Sequence, residues 1–180
     1  MALMILGCAL FLASHFIGAW GYRARVEAVA GHHGYMGLVT VGSIAAIIMI
    51  VFGYKAMETE LLWLPLAPSY ELALYLMPIS AILLVAGNMP GNIPRFVPHS
   101  MLTGIVLWAA LHLLANGDLA STIIFVTFGG YALYRRFSLT PKLPEPQPIY
   151  RDVIVVAIGL VVYVGMLWFH GMLSGVTLVG

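Results

Sequence analysis

Six long stretches of this chain, residues 2–20, 35–54, 69–87, 99–115, 119–134 and 153–172, contain between them a single charged residue, Glu71. Each is close to the roughly 20 apolar residues that a helix needs to cross a hydrocarbon layer about 30 Å thick; residues 99–115 are short for a span. Backbone N–H and C=O groups find no water in lipid, so runs of this kind must satisfy them internally, as helices. The pattern predicts an all-α fold: a polytopic membrane helical bundle of six transmembrane helices, with residues 1–180 as one integral membrane domain. Only 8% of the residues are charged, against about 25% in globular domains, and neither a soluble domain nor an internal repeat is visible. Residues 138–150 carry Pro141, Pro144, Pro146 and Pro148, which predicts an extended, semi-rigid linker.

The basic residues set an orientation. Arg23 and Arg25 fall in the first connection, Arg95 in the third, and Arg135, Arg136, Lys142 and Arg151 in the fifth, with only Lys55 on the other side. Cytoplasmic loops retain Lys and Arg, so both termini are expected outside, periplasmic for a bacterial inner-membrane protein. Glu58, Glu60, Glu71 and Asp118 fall on that outer face. The N-terminal run lacks a basic leader and keeps His15, so it reads as a first spanning helix rather than a cleaved signal. Eight Lys/Arg against seven Asp/Glu leave no nucleic-acid footprint. The single cysteine, Cys8, excludes an internal disulfide and a CxxC motif.

Imidazoles within apolar runs are the candidate chemistry, because ionisable groups at membrane depth are costly. His15, His99, His112 and His170 lie on the first, fourth and sixth predicted spans, which hold no Asp or Glu. Neutral histidine is a common haem ligand, whereas a hard metal would want carboxylates. The plainer reading is that each imidazole hydrogen-bonds a carbonyl or hydroxyl within the bundle, and for His32 and His33 that reading is preferred. Thirteen residues separate His99 from His112, about 20 Å of rise and a turn of roughly 220° on a helix, so one small cofactor cannot take both. Gly104, Trp108 and His112, spaced by four, share a stripe. By depth His15 lies nearer the level of His99, about 7 Å inside the cytoplasmic end, while His112 and His170 share the outer side.

Other features read structurally. Asn116-Gly117-Asp118 predicts a tight turn, with Gly117 past the end of one helix and Asp118 capping the next. Gly7, Phe11, Ser14 and Gly18 form a packing stripe on the first helix, and Cys8 reads as inert packing. Pro78 predicts a kink in the third helix. Trp20, Tyr22, Trp63, Tyr70 and Trp168 read as interface anchors.

Pro90-Gly91-Asn92, then His99, Gly104, Trp108 and His112 followed by LLANGDLAS, together with His15, resemble the NnrU family of bacterial membrane proteins over essentially the whole chain. The resemblance implies a small polytopic protein associated with denitrification, in the handling of nitrite and nitric oxide. The same pattern is similar to zeta-carotene isomerase, a relative that holds haem b and converts a cis double bond of a carotenoid. That likeness implies His15 and His112 as metal ligands to haem iron, with Trp108 and Gly104 shaping the cofactor pocket; His99 and His170 are the alternatives. Two positions depart from the isomerase. Ala109 stands where it has a cysteine, and Lys55 falls near a further family histidine.

The resulting expectation is a haem b protein with a redox, gas-sensing, electron-transfer or isomerase-like role, whose ligand is a small gas or an apolar polyene. An accessory or assembly protein of a respiratory complex, without cofactor, is the first alternative. The second starts from the stretch around His99, which resembles the Arg-His-Pro region of isoprenylcysteine methyltransferase-like enzymes and would imply S-adenosylmethionine; here the triplet is Pro98-His99-Ser100, and Arg135-Arg136 lacks the paired glutamates that follow in those enzymes. Partners beyond the lipid bilayer would be a respiratory membrane protein or a second copy, since glycine stripes permit a homodimer.

Overall fold

The computed structural model describes residues 1–58 and 60–178. They fold into seven α-helices, and the only β-type pairing among them is an isolated bridge between Leu61 and Asp118. Contacts divide the chain into two compact units, Met1–Thr59 and Glu60–Gly180.

The first unit is a hairpin of α1 (Ala2–Ala19) and α2 (Arg23–Lys55). The predicted small-residue stripe is the seam: Gly7, Phe11 and Ser14 are buried, as is Cys8. A Cβ on Gly7 would lie 2.9 Å from the Ala46 carbonyl oxygen, so only glycine lets the two backbones approach this closely. Residues 23–34 read as a connection in the sequence, yet helix α2 begins at Arg23 and runs on to a kink at Gly31, where φ is 72° and ψ 171°. That backbone conformation belongs almost exclusively to glycine. The short polar helix before the kink is stabilised by an i,i+4 pair, Arg23 Nε donating to Glu27 Oε1 at 2.9 Å.

In the second unit, α5 (Ser100–Ala115) and α7 (Ile149–Ser174) pack on α3 (Ser69–Ala86), and α6 (Leu119–Ser138) packs on α5. A four-residue helix, α4 (Ile93–Phe96), precedes α5; it has no counterpart in the sequence reading because its few residues carry no periodicity. The Ser80 hydroxyl, 1% exposed, donates to the Gly104 carbonyl at 2.8 Å and ties α3 to α5. Pro78 lies inside α3, which runs on through it. Its ring nitrogen has no hydrogen for the Leu74 carbonyl one turn back, and the Tyr163 hydroxyl of α7 donates to that carbonyl at 2.9 Å instead.

The Asn116–Asp118 turn is partly as predicted. Asp118 caps α6, accepting from Ser121 N at 2.8 Å. Gly117, however, is not in the left-handed region, where the glycines are Gly21, Gly31 and Gly175. Glycine is needed because the Trp63 carbonyl lies where a Cβ would be, while the Gly117 carbonyl accepts from Leu62 N at 2.8 Å and Trp63 N at 3.1 Å.

Among the described residues four helices are long and apolar enough to cross a membrane: α1, α2, α3 and α7. The protein is therefore a helical membrane protein. At 16 residues, α5 spans only about 24 Å. The apolar run of α6 is diluted by Thr122, Thr127, Gly129 and Gly130 and ends at Arg135 and Arg136. Large apolar side chains point outward, among them Val41, Phe52, Val161 and Trp168, at 64% to 72% exposure, as lipid contact requires.

Candidate functional site

The helix α5 presents Trp108 and His112 one turn apart, with ring centroids 5.0 Å from each other. Across from them α6 supplies Phe125, nearly parallel to the His112 ring at 4.4 Å and edge-on to Trp108 at 5.0 Å. Phe128 meets Trp108 edge-on at 5.9 Å. From α7 comes His170, whose ring lies 6.4 Å from that of His112 with 16° between the planes. The structure thus brings together His112 and His170, the two histidines that the sequence reading puts at one depth, in an aromatic setting built by three helices. Gly104 faces elsewhere: a Cβ there would meet the Ser80 carbonyl oxygen at 2.9 Å and Leu84 N at 3.1 Å, so below Trp108 this stripe runs onto the α3 backbone.

Hydrogen bonding fixes the tautomers. His112 Nδ1 is 2.9 Å from the Trp108 carbonyl oxygen. His170 Nδ1 is 2.8 Å from that of Val176, which the chain returns to this position after turning at Gly175. His15, in the first unit, has Nδ1 3.0 Å from the Phe11 carbonyl oxygen and its ring 4.1 Å from that of Phe11. A carbonyl can only accept, so in all three rings Nδ1 carries the proton and the neutral tautomer leaves the lone pair on Nε2. The plainer reading of these histidines is satisfied by the same bonds that prepare Nε2 as a ligand.

His99 behaves differently. It caps α5 in the left-handed region, at φ 56° and ψ 42°, and its Nε2 donates to the Leu139 carbonyl at 3.2 Å. A non-glycine residue in that conformation is strained, and the nitrogen is spent. His32 and His33 are exposed, and His32 Nδ1 bonds Glu27 Oε1 at 2.9 Å rather than a group inside a bundle. The His32 bond, with Arg23 beside it, holds the Glu27 carboxyl below the usual glutamate value.

A second polar constellation, which the sequence did not single out, closes the opposite end of this unit. Asp152 sits in the first turn of α7, ahead of the apolar run that begins at Val153. Its Oδ1 accepts from Asn92 N at 2.6 Å and Ile93 N at 3.2 Å, and its Oδ2 from Asn92 Nδ2 at 2.6 Å. Asn92 and Gln147 exchange two bonds, Nδ2 to the Gln147 carbonyl at 2.7 Å and Gln147 N to Asn92 Oδ1 at 2.8 Å. A Cβ on Gly91 would lie 2.9 Å from Asp152 Oδ1, which explains the small residue before Asn92. The Asn92 side chain, then the Asn92 and Ile93 amides, hold the Asp152 carboxyl below the usual aspartate value. This clasp anchors the end of the proline-rich linker. Asn92 and Asp152 are 60 positions apart, so no local pattern pairs them.

Among the described residues no group of three or more His, Cys, Asp or Glu is placed to hold a metal ion. In comparison with known proteins, the family model described as NnrU protein matches residues 3–178. No curated protein and no solved structure matches.

Proposed function

This chain belongs to the NnrU family, and from that premise we propose that it is an integral membrane protein holding haem b through neutral imidazoles, acting in redox or nitric-oxide-linked metabolism of the denitrification type. The observation that carries the reading is the shared state of His15, His112 and His170: each gives its Nδ1 proton to a backbone carbonyl. That second bond is what orients ligating histidines and raises their basicity.

The donor set fits the cofactor. A bare metal ion needs three or four protein ligands, and no such group is gathered among the described residues. Haem brings its own four nitrogens and asks for one or two imidazoles. The His112 and His170 ring centroids are 6.4 Å apart, so two neutral imidazoles from neighbouring helices stand near enough to serve one cofactor. When bound, haem would supply an iron that changes oxidation state or takes a small gas ligand. His112 is the ligand common to both pairings: with His15, as the family likeness implies, or with His170, its neighbour in the second unit. Trp108 and Phe125 would orient the His112 ring and keep water from it.

An isomerase-like role for a polyene substrate is disfavoured by Ala109. It is 2% exposed, and its Cβ lies 2.8 Å from where a Cβ on Gly129 would stand. A buried methyl group cannot exchange as an iron ligand. Six spans, with both termini on the side away from Arg95, Arg135, Arg136, Lys142 and Arg151 in a bacterial inner membrane, belong to the same proposal and rest on the positive-inside bias.

Absorption spectra of the purified protein, oxidised and reduced, with and without carbon monoxide or nitric oxide, test it. A Soret band that is lost in His112→Ala and reshaped in one of His15→Ala or His170→Ala is the expected result, and which of the two does so identifies the second ligand. Colourless protein after haem reconstitution, or a spectrum indifferent to His112→Ala, overturns the proposal and favours a cofactor-free accessory role.

A further inference from the structure

The second unit is electrically lopsided. All its cations, Arg95, Arg135, Arg136, Lys142 and Arg151, lie at the end where α3 gives way to α4 and α6 to α7. The other end holds Glu60, Glu71 and Asp118. At the basic end only Glu145 and Asp152 are acidic, and Asp152 is engaged with the amides of Asn92 and Ile93. Among the described residues the ion pairs are Arg23–Glu27 and His32–Glu27, both in the first unit, so the five cations have no carboxylate partner. Arg95 and Arg136 spend one donor each on neutral oxygens, Pro144 O and Thr103 Oγ1, both at 3.1 Å. Lys142 stands over a cavity of about 260 Å³ formed by the last turn of α3, the Asn88–Gly91 turn, Pro144 and Gln147. No carboxylate lines that cavity. The neighbouring recess of about 340 Å³ has Arg95 but also Asp152 in its wall, which makes it the poorer anion site.

We propose that the Lys142 cavity seats the phosphate of an anionic phospholipid. The position argues for a lipid rather than a free anion. An apolar helix of 18 residues, α3, measures about 27 Å, so its last turn ends where the hydrocarbon does and the cavity just past Ala86 opens at headgroup level. Lys142 supplies the direct charge partner, while Arg95 and Arg151 on the flanking turns add to the local field. Each basic residue near an anionic leaflet contributes about 1 kcal/mol, enough to select anionic from zwitterionic headgroups.

The test titrates the detergent-solubilised full chain with dioctanoyl phosphatidylglycerol, dioctanoyl phosphatidylcholine and inorganic phosphate, with bound ligand counted by native mass spectrometry. Phosphatidylglycerol binds, phosphatidylcholine binds at least tenfold more weakly, and inorganic phosphate fails to compete. Lys142→Gln weakens phosphatidylglycerol binding about fivefold, Arg151→Gln weakens it less, and Lys55→Gln leaves it unchanged. Equal binding of the two lipids overturns the proposal, as does phosphate binding as tightly as phosphatidylglycerol. So does a Lys142→Gln protein that melts lower but binds lipid normally, because Lys142 would then only neutralise the carbonyl end of α3.

Discussion

Tyr163→Phe removes one oxygen and tests how this chain accommodates a proline in a spanning helix. Pro78 cannot donate to the Leu74 carbonyl, and the Tyr163 hydroxyl fills that role at 2.9 Å. Interhelical hydrogen bonds in membranes average only about 0.6 kcal/mol, because the usual alternative is another partner. Here the alternative is a carbonyl oxygen with neither helix donor nor water. The cost of an orphaned buried acceptor, about 1–3 kcal/mol, is therefore the better guide, and about 1.5 kcal/mol is the expected loss. For a chain of this size each kcal/mol lowers Tm by about 2–4 °C, so the melting temperature in detergent should fall by about 3–6 °C. The decisive arm is a double-mutant cycle. Pro78→Ala restores the helical N–H to Leu74, so in that background Tyr163→Phe should cost little, with a coupling of about 1 kcal/mol. An equal loss in both backgrounds would refute the reasoning, because it would mean that the hydroxyl acts through packing or another partner.

Three further outcomes follow from the structure. Asp118→Ala should destabilise by about 1–2 kcal/mol through loss of the α6 cap, and Asp118→Asn by less, because it keeps the acceptor and loses only the charge at the helix N-terminus; thermal melting gives the order. Ala109→Cys should cost about 1–3 kcal/mol by overpacking against Gly129 without adding a thiolate signature to any haem spectrum. For Asp152 the folded carboxyl titrates below its unfolded value, held down by the Asn92 side chain and the Asn92 and Ile93 amides. The stability it lends is therefore present above the ordinary aspartate range and lost as pH falls through the lowered value. Protection of the Asn92 and Ile93 amides, measured relative to intrinsic exchange at each pH, should fall over that acidic window, and Asp152→Asn should remove that fall.

The spanning helices were legible because lipid turns hydropathy into geometry: residues 2–20 against Ala2–Ala19, 69–87 against Ser69–Ala86, and 153–172 within Ile149–Ser174. Helix α2 was misjudged at its start because the Arg23–Glu27 segment is polar and held by a local ion pair, and a hydropathy reading sees only its lack of grease. Gly117 was assigned the commonest job of a glycine after a helix, whereas its real constraint, the Trp63 carbonyl, comes from a segment with no pattern of its own. His112 and Trp108 were visible as a stripe. Their neighbour His170 was read as sharing the depth of His112 and as an alternative ligand, and Phe125 was not foreseen, since an aromatic in an apolar helix looks the same whether it faces lipid or an imidazole. Tyr163 could have been anticipated in part: a proline inside a span leaves one carbonyl needing a donor, although the donor's identity depends on how the helices pack.

The polar side chains of the second unit then separate by what they have left to give. Ser80, Ser100, Thr122, Thr127 and Tyr163 each donate their one hydroxyl hydrogen to a backbone carbonyl, and a hydroxyl oxygen is a poor ligand for iron. His112 and His170 make the same kind of bond through Nδ1, yet each keeps a nitrogen lone pair on the other side of the ring. Imidazole alone among these groups can satisfy the bundle and still coordinate a metal. A chain that needed only hydrogen bonds at these positions could have used serine or threonine, as it does elsewhere on α5 and α6. The choice of histidine at two positions whose rings sit 6.4 Å apart is the residue-level argument for a cofactor at this end of the second unit.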